Sequence, residues 1–168
     1  MIKSRKGTGF VIALGAFASV GLIASVFSNS FGAVSTPVAS AKVENKAYGN
    51  DQLDTWISEA RKVLRQEDIP GTHANIKKNV IRESGGNPKI CNDWDINARN
   101  GVPSCGLLQV IPPTFEAHKL PQEKYDKAGV KANANDRFDP IANIVTACAY
   151  AWSRYPGKDG INGINEAY

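Results

Sequence analysis

The sequence predicts an all-α fold, with at most a short hairpin inside one long loop. Apolar residues recur at helical spacing over 51–67 and again over 140–155. No stretch alternates apolar and polar side chains over the length of a strand. Residues 87–105 are rich in Asn, Asp, Gly and Pro, which favour turns. We therefore predict a small helical domain over 51–158 that contains one long structured loop.

The first 41 residues have the pattern of an export signal. Basic residues at positions 3, 5 and 6 precede an uncharged apolar run over 10–27, and residues 39–41 (Ala-Ser-Ala) offer a cleavage site. About 18 apolar residues can nearly span a bilayer, so an uncleaved membrane anchor is the alternative. In either case we expect the rest of the chain outside the cytoplasm, secreted or held on the outer face of the cytoplasmic membrane.

The charge balance excludes one class of partner. The first 41 residues hold three of the 20 basic residues and no acidic one, which leaves 17 basic against 16 acidic residues in the remainder. A nearly neutral domain has no basic surface of the kind that attracts a phosphate backbone. We therefore expect no nucleic-acid partner, and we expect the domain to be a monomer.

The three cysteines and two histidines predict one disulfide and no metal site. Export permits disulfides, and Cys91 and Cys105 bracket the polar loop, so we predict that they pair. Cys148 is predicted to be a small buried helix residue, because no Cys–His spacing around His73 or His118 suggests a nucleophile. The same histidines are too isolated for a metal site, and we expect no cofactor.

Caps and prolines set the predicted ends of the helices. A linker over 42–50 precedes the first helix, and Thr72 is a plausible N-cap for a second helix over 73–84. A short helix is predicted to begin at 112–113 (Pro-Pro), with polar, irregular chain over 119–138. Asp139 precedes the last helix, whose predicted buried stripe is Ile141, Ile144, Val145, Cys148, Trp152 and Tyr155. The helix is predicted to stop at 156–157 (Pro-Gly), and the glycine-rich residues 159–168 to form a flexible tail.

Glu83 is the candidate for chemistry. Ile76, Val80 and Glu83 fall at i, i+4 and i+7 and share one helix face, whereas Arg82 lies elsewhere on the helix. Burial and the partial negative charge of a helix C-terminus both disfavour the ionised carboxylate. Both effects raise the pKa and keep a proton on Glu83, as a general acid requires. The alternative is a solvated Glu beside an ordinary glycine C-cap.

Three ordered motifs resemble those of the SLT-type lytic transglycosylase domain, a lysozyme-like fold with a substrate cleft that acts on bacterial peptidoglycan. They are ESGGNP (83–88), GLLQVIP (106–112) and ACAY (147–150), and the resemblance covers about residues 50–156. The loop that carries Asn92, Trp94, Asp95 and Asn97 is similar, more loosely, to variants in secreted and phage proteins of actinobacteria. The resemblance implies a place in the extracellular cell wall, peptidoglycan glycan strands as the partner, and no cofactor.

The resemblance also implies residue roles. Glu83 would be the single catalytic acid and base, and Ser84 would help to fix its geometry; a simple helix-end hydrogen bond is the alternative for Ser84. Gln109 and the backbone around Gly106 would line the saccharide site; the alternative is a buried loop that needs glycine for close backbone approach. Tyr150 would point its hydroxyl towards Glu83.

Two further positions are open. Asn143, on the same helix stripe as Tyr150, either joins the cleft or belongs to a solvated face. Trp94 either stacks on a sugar or anchors its loop against the domain.

A second carboxylate would change the reaction. The family resembled uses one Glu, and the 2-acetamido group of the muramic acid takes the place of the second acid, which gives a 1,6-anhydromuramic acid end. Goose-type lysozymes share the fold and hydrolyse, so Asp95 would make the protein a muramidase if it positioned a water. The alternative is that Asp93 and Asp95 are turn residues bonded to nearby backbone N–H groups. A non-catalytic wall-binding module, or a membrane-tethered part of a secretion or conjugation machine, are the remaining readings.

Overall fold

The computed structural model describes residues 49–155 and 159–163. Its helices are α1 (Asn50–Gln66), α2 (His73–Ser84), α3 (Ile96–Arg99), α4 (Pro112–His118), α5 (Gln122–Lys127) and α6 (Pro140–Arg154), followed by a 3-10 helix, η1 (Gly160–Asn162). Over these ranges there is no strand, and the predicted hairpin is reduced to isolated bridges that join Cys105 to Cys91 and to Val110. The predicted all-α class is confirmed.

Helix α1 packs against both α2 and α6. Leu53, Ile57, Ala60, Val63 and Leu64 are the buried residues of α1, at the spacing that the sequence shows. Thr72 caps α2 as predicted, because its side chain accepts a hydrogen bond from the backbone N–H of Asn75. Gly85 ends α2 in the left-handed conformation that glycine adopts without strain.

Helix α6 runs through the centre of the domain and packs on α1, α4 and η1. The Asp139 side chain accepts from the backbone N–H groups of Ile141 and Ala142, so the predicted cap is present. Most of the predicted stripe is buried, and Cys148 is fully buried. The exceptions lie at the end of the helix: Trp152 is exposed, and Tyr155, the C-cap residue, is only partly buried.

Two short helices lie where irregular chain is predicted. Helix α5 interrupts 119–138 and buries Tyr125 completely, and α3 forms inside the long loop. Neither helix has enough turns for an apolar repeat to be visible in the sequence. Helix α5 is held by the burial of Tyr125 in the core, whereas α3 buries no residue and is capped by Asp95.

The start of the predicted flexible tail is ordered. Ile161 in η1 is buried in the core cluster. Asn162 Oδ1 accepts hydrogen bonds from Thr72 N (2.9 Å) and from Asn75 Nδ2 (3.2 Å), which tie η1 to the start of α2. The glycine content that predicts a flexible tail instead allows the close approach of Gly160, where an added Cβ would lie 3.2 Å from Trp152 Cα.

Several predictions lie outside the described residues. They are the export signal or anchor over 1–41, most of the linker, the helix stop at 156–157, and the tail over 164–168. Over the residues described, no helix combines the length and apolar character needed to cross a membrane.

Candidate active site

A groove opens between α2, the 104–111 loop, α4, α6 and η1. Its walls are largely apolar, and its polar side chains gather at the C-terminal half of α2 and on the loop opposite. The lining residues are Asn79, Arg82, Glu83, Ser104, Leu108, Gln109, Val110, Ile111, Thr114, Ala147, Tyr150, Ala151 and Ile161. The groove therefore joins Glu83, Gln109 and Tyr150, which the sequence places far apart.

Glu83 lies in the last turn of α2 with its carboxyl group facing the groove. Its side chain is only 11% exposed. Burial raises the pKa of Glu83, and the neighbouring Arg82 opposes this with a smaller lowering effect. Burial therefore dominates, and the direction of the shift is the one that a general acid requires.

Arg82 contacts the candidate acid directly, although the helical pattern separates the two side chains. Its Nε donates to Glu83 Oε1 at 3.0 Å, and Nη2 donates to Asn79 Oδ1 at 2.6 Å. Asn79 is itself fixed, because its Nδ2 donates to Asn75 O at 2.8 Å. The long arginine side chain reaches over the end of the helix, a freedom that residue spacing does not capture.

Ser84 is buried behind Glu83 and does not line the groove. Its Oγ donates to Val80 O at 3.0 Å and accepts from Gly86 N at 3.2 Å. Ser84 thus stabilises the end of α2. This is the helix-end hydrogen bond that was predicted as the alternative to a role in fixing the geometry of Glu83.

The 105–110 turn faces Glu83 across the groove. Backbone hydrogen bonds pair Cys105 with Val110 in both directions, and Gln109 closes the turn with a positive φ of 48°. The Gln109 amide Nε2 donates to Gly106 O at 2.9 Å and to Ile90 O at 3.2 Å, while Oε1 accepts from Ser104 at 3.4 Å. Gln109 lines the groove, and its side chain also builds the groove wall.

Gly106 is required by its neighbour in α6. Its φ is +85°, and an added Cβ would lie 2.3 Å from Asn143 Nδ2 and 3.1 Å from Arg137 O. The prediction that this position needs glycine for close approach therefore fits the structure, whereas Gly106 itself does not line the groove.

Asn143 is not a cleft residue, and it does not lie on a solvated face either. It is completely buried. Its Oδ1 accepts from Leu108 N at 2.8 Å, and its Nδ2 donates to Arg137 O at 2.9 Å and to Cys105 O at 3.2 Å. Buried amides are stable only when hydrogen-bonded, and these bonds fix the turn that carries Gln109.

Tyr150 lines the groove from α6. The His118 ring meets the Tyr150 ring edge-on, with 5.1 Å between the centroids. Burial lowers the pKa of His118, which favours a neutral ring beside the tyrosine. The contact fixes the Tyr150 ring from the side of α4.

The comparisons identify the family. A family model described as the transglycosylase SLT domain matches residues 71–168. The chain belongs to the transglycosylase SLT domain family. Membership agrees with the lysozyme-like helical domain described above.

This SLT domain is also similar to part of a much longer curated protein. The uncharacterized protein YqbO of Bacillus subtilis (strain 168) is 33% identical over 159 residues, covering 92% of this chain and 9% of that protein. The chain thus spans less than a tenth of the curated relative. No solved structure matches.

Trp94 and Asp95 lie on the disulfide-closed loop of the SLT domain, and neither lines the groove. Trp94 is 56% exposed, so it does not anchor the loop in the core. Asp95 caps α3: its Oδ1 accepts from Ala98 N at 2.8 Å, and its Oδ2 accepts from Asn92 Nδ2 at 3.3 Å. These contacts match the turn role weighed for Asp95.

The cysteines behave as predicted in the SLT domain. Cys91 and Cys105 form a disulfide, and Cys148 is free and buried. Burial raises the pKa of the Cys148 thiol to about 12, which leaves it un-ionised and unreactive. Within the described ranges, no group of three or more His, Cys, Asp or Glu side chains is arranged to hold a metal ion.

Several residues of the site escaped the sequence-based prediction. Asn79, Arg82, Thr114 and Ile161 line the groove, and His118 supports Tyr150 from behind it. Asn79 and Glu83 are four residues apart on α2, and Thr114 and His118 are four apart on α4, so helical spacing was the available signal. Ile161 had no such signal, because η1 follows a glycine-rich stretch.

Proposed function

We propose that this SLT domain cleaves the β-1,4 bond between N-acetylmuramic acid and N-acetylglucosamine with Glu83 as its single catalytic carboxyl group. The main support for the proposal is the number of carboxyl groups in the groove wall. Among the described residues that line it, Glu83 is the one carboxylic acid, and it is held in a largely apolar wall. That environment supports a protonated acid at the start of the reaction.

The reaction proceeds in two steps. The Glu83 proton passes to the glycosidic oxygen as the bond from that oxygen to the anomeric carbon breaks, and the 2-acetamido oxygen of the muramic acid bonds to that carbon. The Glu83 carboxylate then removes the proton of the C6 hydroxyl, and O6 displaces the acetamido oxygen. The product is a 1,6-anhydromuramic acid end, and Glu83 has regained its proton. No water, metal ion or organic cofactor enters the balance.

Hydrolysis is the less favoured reaction. Glycosidases that hydrolyse usually place two carboxyl groups about 5–9.5 Å apart across the bond. Asp95 accepts hydrogen bonds from the start of α3 and does not line the groove. Its engagement there supports a single-carboxylate mechanism over a water-activating one.

The first test is digestion of purified peptidoglycan, followed by mass measurement of the released fragments. We expect ends lighter by one water than reducing ends; reducing ends throughout would reject transglycosylation in favour of a muramidase. Glu83→Gln should lower the rate by at least about 100-fold, since general-acid catalysis contributes that much or more. Glu116→Gln is the matched control, because Glu116 is exposed on α4 and should leave the rate unchanged.

The same variants separate the enzyme from a non-catalytic wall-binding module. A module that only binds would release no fragments in any variant. If fragment release survives Glu83→Gln, Glu83 is not the acid.

We also propose that the domain acts as a monomer outside the cytoplasm, either secreted or anchored through residues 1–41. N-terminal sequencing of the secreted and membrane fractions tests which form exists. The same measurement bears on a membrane-tethered role within a secretion or conjugation machine.

A further inference from the structure

The groove contains a cation whose place the proposed chemistry does not explain. Arg82 is the one Lys or Arg among the described residues that line the groove. Its side chain is 39% exposed, whereas that of Glu83 is 11% exposed. Arg82 Nη2 donates a hydrogen bond to Asn79, and its Nε donates to Glu83. Its Nη1 makes no hydrogen bond to any residue the structure describes. The hydrogen bonds to Glu83 and Asn79 thus orient the guanidinium group, which is open towards the groove.

The contact between Arg82 and Glu83 opposes the proposed catalysis. A guanidinium group beside a carboxyl group favours the ionised form, and the general acid must begin protonated. Tyr150 is the other titratable group in the groove wall, with His118 behind it. Neither is a cation placed against Glu83, so Arg82 is the charge that matters to the acid. An anion that drew Arg82 away would favour the protonated form.

The proposed substrate carries such an anion. Muramic acid differs from glucosamine by a lactyl ether that ends in a carboxyl group. That carboxyl group is free on strands stripped of peptide, and it is amide-linked on strands whose stem peptides bring carboxylates of their own. A guanidinium group matches a carboxylate with two parallel hydrogen bonds, which is the geometry that Nη1 and Nη2 offer.

We propose that Arg82 is a binding site for a carboxylate on the muramic acid substituent, and that this carboxylate, bound by Nη1 and Nη2, draws the guanidinium group away from Glu83. The inference rests on the proposed function of the groove. A neutral glycan leaves the ion pair with Glu83 intact, so Glu83 is protonated to a smaller extent than when the bound substrate carries the anion. Arg82 thereby selects muramic acid glycans over uncharged ones.

The experiment measures kcat/KM for anhydro-end formation on three substrates. These are peptide-stripped glycan strands, the same strands with the lactyl carboxyl group reduced to an alcohol, and uncrosslinked peptide-bearing strands. The proteins are wild type, Arg82→Gln, Arg82→Lys and the control Lys78→Gln, which removes a positive charge from an exposed position one turn earlier on α2. Thermal unfolding of each variant reports whether it folds.

Wild type and Lys78→Gln should prefer a carboxylate-bearing substrate over the reduced strands by about tenfold to 100-fold, the worth of a charge-assisted hydrogen bond. Arg82→Gln should reduce that preference to about twofold or less and cleave the reduced strands at least as fast as wild type. Arg82→Lys should keep part of the preference, because it keeps the charge without the paired geometry.

The source of the anion follows from the same data. An Arg82-dependent preference for stripped over reduced strands assigns the lactyl carboxylate. A preference for peptide-bearing over reduced strands assigns a stem-peptide carboxylate. Either result supports the site.

Three results would overturn the proposal. They are a wild type with no preference for either charged substrate, an Arg82→Gln variant that keeps the wild-type preference, and an equal loss of rate on all three substrates. If wild type forms anhydro ends but Arg82 has no such effect, the proposed function stands and this inference fails. If wild type forms no anhydro ends, both fail.

Discussion

At the scale of single residues, two opposed effects act on the pKa of Glu83, and burial is the larger one. Burial raises its pKa, and the Arg82 guanidinium lowers it by a smaller amount. Arg82 is partly exposed, so water screens its charge, whereas the glutamate side chain is nearly covered. The shift therefore favours the protonated form of Glu83, and ionisation of this carboxyl group lowers the stability of the folded domain.

This cost predicts a pH-dependent effect of Glu83→Gln on stability. The folded state binds the Glu83 proton more tightly than the unfolded chain does, where the pKa is about 4.3. Wild-type stability therefore falls relative to the variant as pH rises from that value through the raised pKa of the folded state. We expect Glu83→Gln to be the more stable protein at pH 7 by about 1 kcal/mol, and the two to be similar near pH 4.

Urea unfolding at both pH values provides the measurement, with Glu116→Gln as the control for loss of a negative charge. A wild type that gains stability over Glu83→Gln as pH rises would show that the Arg82 ion pair, and not burial, dominates.

The sequence was sufficient to place Glu83 but not its neighbours. Spacing from Ile76 and Val80 put it on the buried face, and a helix end is visible from the glycines that follow. The Arg82 contact depends on a flexible side chain, and the burial of Asn143 depends on a turn that arrives from elsewhere in the chain. Neither is encoded in local periodicity.

At the scale of elements, the 105–110 turn packs most closely on α6 where Gly106 meets Asn143. Gly106 approaches Asn143 so closely that no side chain fits between them. Gly101 provides a matched case, since its φ of +74° is equally demanding but an added Cβ meets nothing within 4 Å.

We therefore expect the two alanine substitutions to differ in cost. Gly101→Ala should lower the free energy of unfolding by about 1 kcal/mol through backbone strain alone. Gly106→Ala should cost about 3 kcal/mol or more, because Asn143 must move and leave buried hydrogen bonds unmade. Denaturant unfolding of both variants tests this; equal costs would mean that the turn shifts freely over α6.

Elements were predicted in proportion to their length. The long helices α1, α2 and α6 show full apolar repeats, and the N-caps of α2 and α6 are recognisable side chains. Helices α3 and α5 span four and six residues, too few to show a repeat; α3 depends on its Asp95 cap, and α5 on the burial of Tyr125.

At the scale of the whole molecule, Cys148 reports on global unfolding. It lies at the centre of α6, fully buried, and its pKa of about 12 leaves no thiolate at neutral pH. We expect a thiol reagent to label the native protein, with its disulfide intact, only as fast as the domain unfolds globally. The labelling rate should therefore rise with denaturant in parallel with unfolding.

An Ala74→Cys variant, at an exposed position on α2, supplies the control that labels at once. Rapid labelling of Cys148 without denaturant would reveal a local opening of α6 that the packing does not suggest.

The 3-10 helix η1 determines where the domain can be cut when it is fused to another protein. Ile161 forms part of the groove wall, and Asn162 is bonded to the start of α2. A fragment cut at residue 158, where the last long helix has ended, would keep Glu83 and Tyr150 yet lose one side of the groove. The portable unit therefore extends at least to Gly163, and a fusion partner joined before that point would replace a wall of the candidate active site.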